Sequence, residues 1–261
     1  MDSLNPESPP LTIAPARPAR HIWRFWGTAL WGFAGFAAMS LGQVAVVIIL
    51  ALLQGGSVSL VEAIRALATN GLVLSLSVVA GLPATLAALW LAIRLTDTSF
   101  AEYLALRWPS WKDAAIGAVG LFVLVAGWEL LSRVMGRDAS PDFMVGVVKS
   151  AEADGALWLL IVGFSIAAPV SEELLARGFL FYGWSKTFLG VPGAIALSSL
   201  VWTALHLQYD TNLFFFGEVF CLGLWFGYLR YRSGSTWLTI VLHGLNNLAA
   251  VAQSVYLAGS N

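Results

Sequence analysis

The sequence predicts an all-α membrane protein, a polytopic bundle of about seven transmembrane helices with short amphipathic helices at the interface. Three observations carry that expectation. Hydrophobic residues make up 58% of the chain and charged residues 11%, whereas an average soluble domain holds about 25% charged residues. The mean hydropathy is +0.77. The apolar residues also gather into long runs, and 261 residues leave room for about seven spans of roughly 20 residues with their connections.

Taken in order, Met1 to His21 contains Pro6, Pro9, Pro10, Pro15 and Pro18 and almost no periodic apolar pattern. Residues 1–21 therefore read as a disordered proline-rich tail. Residues 22–150 read as transmembrane helices and surface segments, and 151–258 as the helical core that holds the polar motifs. The two form one integral domain. Spans are expected at about Phe25–Gln54, Leu72–Leu95, Ala114–Met135, within Ala156–Phe188, and at Val191–Leu207, Leu213–Tyr231 and Thr236–Leu257. Pro83 should kink the second. Trp23, Trp26 and Trp31 suit an interfacial aromatic belt. Ser57–Asn70 and Ser99–Lys112 read as segments lying along the surface, and Gly136–Asp154 as the one extended polar loop.

Charge and cysteine usage exclude several classes. Net charge is −1 and no basic block suggests a nucleic-acid partner. The single cysteine, Cys221, rules out an internal disulfide framework and a cysteine-based metal site, and reads as a small buried hydrophobe. The first apolar run is too long for a cleavable signal peptide. Lys and Arg placement, with Arg17, Arg20, Arg24, Arg94, Arg107, Lys112, Lys186, Arg230 and Arg232 on one side and Arg65, Arg133, Arg137 and Lys149 on the other, predicts a cytoplasmic N-terminus in the cell membrane and, for seven spans, a C-terminus outside. No internal repeat is visible, which argues against a secondary transporter.

The chain is organised around Pro169 to Trp184. Glu172, Glu173 and Arg177 lie there inside an apolar run, and a charge at bilayer depth costs roughly 2.5–3.5 kcal/mol even on the lenient insertion scale. On a helix Glu173 and Arg177 share a face, with the acid N-terminal as pairing prefers. Glu172 is turned about 100° away and is left for another task. A buried pair that pins helix packing accounts for Glu173 and Arg177 but not for Glu172. Pro169 is expected to break or bend the helix just upstream. Further along, His206 lies near the end of the fifth span, and His243 and Asn247 share a face of the seventh.

Such a set can hydrolyse an amide. Glu172 suits a general base for water, and His206 either shares that water or protonates the leaving amine. His243 and Asn247 offer N–H donors to an oxyanion, with Glu173 and Arg177 holding the motif helix in place. Glu218 either faces the same cavity or sits near the interface. Glu129 reads as a residue reaching the headgroups.

In this order on separate spans, Glu172-Glu173-x-x-x-Arg177, Trp202-x-x-x-His206 and His243-x-x-x-Asn247 resemble the type II CAAX-prenyl endopeptidase family, also called CPBP or Abi, of CAAX proteases and bacteriocin-processing enzymes. Arg177–Phe181 and Arg232–Trp237 resemble its flanking sequence. The match covers roughly Leu157 to Ala250, with Trp202 where the family more often has Phe. The resemblance implies an intramembrane endopeptidase acting on a membrane-associated or prenylated peptide or protein. In it Glu172 and His206 activate water, His243 and Asn247 stabilise the oxyanion, and Glu173 and Arg177 orient the site. Metal-free chemistry is expected. Zinc held by Glu172, His206 and His243 is the alternative, although the His-Glu-x-x-His helix of zincins is absent. A non-proteolytic scaffold of the same family and a small proton-coupled transporter are the other readings. The expected partners are the bilayer and a peptide or lipidated-protein substrate.

Overall fold

The computed structural model describes residues 22–54, 59–136, 142–206 and 213–260, and the tail expected at 1–21 lies outside them. The described residues are helical without strands. In chain order the helices are α1 (Phe25–Gln54), α2 (Leu60–Leu67), α3 (Gly71–Arg94), α4 (Phe100–Tyr103), α5 (Trp111–Val134), α6 (Asp142–Ala153), α7 (Leu157–Ser185), α8 (Gly190–Ala204), α9 (Leu213–Ser233) and α10 (Thr236–Ser260). Six of them, α1, α3, α5, α7, α9 and α10, are long and apolar enough to cross a membrane, and α8 is a shorter apolar helix. The chain is a multi-pass membrane protein, and about seven spans are accommodated.

The helix α7 is central. Of its most apolar stretch 56% is buried inside the molecule, against 11% for α1 and for α5. The outer helices instead present side chains such as Trp26, Phe33, Phe122 and Val123 to the surroundings, as lipid-facing helices must. Buried Leu174, Leu175, Phe179 and Leu180 of α7 pack with Leu89 and Ile93 of α3 and with Tyr103 and Leu104. On the opposite side Ala176 meets Phe226 and Leu229 of α9 and Leu238 and Leu242 of α10.

Local sequence sets the connections. Ser59 and Glu62 cap α2 reciprocally, a capping box that satisfies two orphan amides. Asn70, Ser99 and Ser110 cap α3, α4 and α5. The turn between α9 and α10 passes through Gly234 at φ +63°, a left-handed conformation that favours glycine. Its carbonyl accepts from Arg107 Nε at 2.6 Å.

Two expectations are corrected. Within the expected polar loop Gly136–Asp154, residues 142–153 form α6, which buries Val147, Val148 and Ala151 against Leu160 and Val251. Apolar positions 147, 148 and 151 recur at helical spacing between polar residues. Gly71 lets α6 approach α3, because a Cβ there would lie 2.3 Å from the Val147 carbonyl oxygen. Pro169, in turn, does not break α7. The chain stays helical from Leu157 to Ser185 but widens to π-helix at Gly163–Ala167 and again at Leu174–Leu180. Pro83 lies inside α3, as expected of a proline within the second span.

Candidate active site

The first π-helical turn has a local cause. The Ala168 amide donates to the Gly163 carbonyl five residues back. The next donor in that register is residue 169, a proline with no N–H to give. The Phe164 carbonyl, which would have received it, accepts instead from Asn247 Nδ2 of α10 at 2.9 Å. Gly244 makes the approach feasible, since a Cβ there would come within 2.5 Å of the Ser165 carbonyl oxygen. A widened turn, a proline, a glycine and a carboxamide thus bring α10 against α7 beside the two glutamates.

Glu173 and Arg177 are wholly buried and joined at 2.9 Å, Arg177 Nη1 to Glu173 Oε1. The same oxygen lies 3.1 Å from His243 Nδ1. A carboxylate only accepts, so this contact places a proton on Nδ1 and leaves Nε2 as the imidazole's remaining polar atom. Arg177 Nη2 donates to the Gly223 carbonyl at 3.0 Å, and its Cζ lies 4.4 Å from the centre of the Trp202 ring, a cation–π stacking distance. One buried ion pair therefore ties α7 to α8, α9 and α10.

Glu172 points elsewhere and is less enclosed. Its Oε2 accepts from Trp202 Nε1 at 2.7 Å and lies 3.9 Å from His206 Nε2, the two side chains being 18% and 17% exposed. That separation is too long for a direct hydrogen bond. His206 follows the end of α8, where carbonyls lose their helical donors. The Trp202 carbonyl, 3.0 Å from His206 Nδ1, fixes the proton on that nitrogen and turns Nε2 toward Glu172.

A cavity of about 220 Å³ opens beside these groups, lined by Trp202, His206, His243 and Asn247 together with Glu129 and Glu218. Glu172 borders it through Trp202 and His206 rather than lining it. Of the two places open to Glu218, the structure selects the cavity. Glu129 lines the same wall and pairs with Arg133 at 2.8 Å.

The residues singled out from sequence thus form two adjoining clusters, Glu172 with His206 and Glu173 with Arg177 and His243, with Asn247 at the seam between α7 and α10. Sequence reasoning missed Trp202 as more than an aromatic motif position. The available signal was that a buried indole N–H needs an acceptor. Among the described residues no three His, Cys, Asp or Glu side chains are grouped as a metal site would require.

A polytopic helical membrane protein with carboxylates and imidazoles meeting at a cavity inside the bundle is the class that fold and site define. Residues 154–249 match the family model described as Type II CAAX prenyl endopeptidase Rce1-like. The match takes in every residue of both clusters and leaves the first 153 residues outside. No curated protein and no solved structure gives a significant match.

Proposed function

We propose that the protein is an intramembrane endopeptidase that hydrolyses a peptide bond of a membrane-associated or prenylated substrate with water activated by Glu172 and His206. The observation that carries this reading is the placement of Glu172 Oε2 and His206 Nε2, 3.9 Å apart at the edge of a polar cavity. Each faces the other with a lone pair, and a water within reach of both gives up a proton as its oxygen attacks the carbonyl carbon. That proton then passes to the nitrogen of the cleaved amide as the carbon–nitrogen bond breaks. The oxyanion formed in between takes a hydrogen bond from the second N–H of Asn247, whose first is held by Phe164. His243 joins it as a donor when Nε2 carries a proton. Glu173 orients His243, and Arg177 holds Glu173.

The chemistry proposed is metal-free. The test uses purified protein in liposomes with a membrane-anchored peptide. Glu172→Gln and His206→Ala are each expected to slow cleavage by about 10²–10⁴-fold with helicity retained, and a chelator to leave the wild-type rate unchanged. Cleavage by Glu172→Gln at the wild-type rate would remove Glu172 from the mechanism. A second reading, proton-coupled transport, draws on Glu129 and Glu218 lining the same cavity as His206. Proton-driven uptake into vesicles without hydrolysis is the result that favours it.

A further inference from the structure

At the end of the bundle away from the cavity lies a group of cations without counter-ions among the described residues. Arg230, in the last turn of α9, is 6% exposed. Its Cζ lies 5.2 Å from the centre of the Phe181 ring, and its buried Nε has no acceptor among the described residues. No described carboxylate pairs with it. The charged neighbour that faces it is another cation, Arg107, with Tyr182 beside it. Arg107 is exposed and spends its Nε on the Gly234 carbonyl. Lys186 Nζ lies 5.8 Å from the centre of the Tyr182 ring. Tyr103 packs against Tyr182 with ring centres 4.6 Å apart, and its fully buried hydroxyl has no partner among the described residues.

The acids of this end are occupied elsewhere. Asp113 pairs with Arg232 at 3.1 Å, and Asp97 and Glu102 have interactions of their own. A guanidinium nine-tenths buried, with a second cation and a phenol beside it and no anion offered by the described residues, is half of a binding site. Its fork of donors matches the oxygens of a phosphate. The depth identifies the source. Trp108, in the connection before α5, and Trp237, in the first turn of α10, stack at 5.7 Å, and paired indoles belong at headgroup level. A basic recess at that level meets lipid phosphate before any solute.

We propose that Arg230, Arg107 and Lys186, with the hydroxyls of Tyr103 and Tyr182, form a binding site for the phosphodiester headgroup of an anionic phospholipid. Arg230 contacts the phosphate from below, Arg107 and Lys186 close over it, and the acyl chains lie along the lipid-facing surface. This inference is independent of the hydrolytic reading and holds whether or not the cavity cleaves a peptide.

The experiment is native mass spectrometry with melting in a neutral detergent, titrating phosphatidylglycerol, phosphatidylcholine or inorganic phosphate. Wild-type protein is expected to retain phosphatidylglycerol at least tenfold more tightly than phosphatidylcholine and to melt higher with it. Arg230→Gln is expected to abolish the preference, but as a buried variant it is open to misfolding. The exposed pair Arg107→Gln/Lys186→Gln is therefore made as well, and should lose most of the preference with unchanged melting in phosphatidylcholine. The pair Arg65→Gln/Lys149→Gln removes equal charge from the opposite end and should keep it. Equal affinity for both lipids, or equal loss in the two paired variants, overturns the site. Stabilisation by inorganic phosphate equal to that by phosphatidylglycerol overturns the lipid assignment.

Discussion

At the scale of the residue, Glu173 and Arg177 bear on both stability and chemistry, and the two can be separated. Removing one member of a buried ion pair leaves an uncompensated charge and costs roughly 3–5 kcal/mol, whereas replacing both with apolar residues of similar volume is often near neutral. Glu173→Leu alone is expected to destabilise by that amount in detergent unfolding. Glu173→Leu/Arg177→Met should recover most of the loss. Activity should not recover with it, because His243 Nδ1 still lacks the carboxylate 3.1 Å away that sets its tautomer. A double variant that regains both stability and turnover would reduce the pair to packing alone. The i, i+4 spacing of Glu173 and Arg177 made their contact legible in the sequence. The third partner, His243, was not, since no periodicity reports which face of one span meets another 70 residues away.

At the scale of the element, the spans were legible because apolar length is a strong signal, and α6 was not because its apolar positions are few and surrounded by polar ones. The π-helical turns in α7 were also invisible. Pro169 announces an interruption, but whether the chain breaks, bends or widens depends on a partner for the freed carbonyl, and that partner, Asn247, lies on α10. The arrangement makes a prediction at this scale. Pro169→Ala returns an N–H to the register and competes with Asn247 for the backbone of α7. The turn can then tighten to α-helix, which rotates the downstream glutamates by up to about 100° relative to the upstream half. Melting is expected to stay the same or rise while turnover falls at least tenfold. Lower stability with turnover intact would mean that the widened turn plays no part in aiming Glu172.

For the whole molecule, connectivity and charge together bear on which side of the membrane the cavity faces. With α8 crossing alongside the six long helices, chain direction alternates through α1, α3, α5, α7, α8, α9 and α10. The cavity is lined by the C-terminal half of α5, Met144 of α6, the end of α8, the first half of α9 and α10 from His243 to Ser254, mostly toward the end away from the N-terminus. Arg24, Arg94, Arg107, Lys112, Lys186, Arg230 and Arg232 gather at the N-terminal side, and only Arg65, Arg133 and Lys149 of the described cations at the cavity side. The excess of Lys and Arg marks the cytoplasmic side, so the cavity is expected to open away from the cytoplasm and to receive a peptide presented there. Single cysteines in a Cys221→Ser background test this. Glu152→Cys, exposed on α6, should react with an impermeant maleimide added to intact cells. Ala101→Cys, exposed on α4, should react only after permeabilisation. The reverse pattern would turn the cavity to the cytoplasm and make cytosolic proteins, prenylated ones included, its substrates. Because both positions lie well outside the two clusters, each variant should still cleave if the wild type does, so orientation and activity are read from the same molecules.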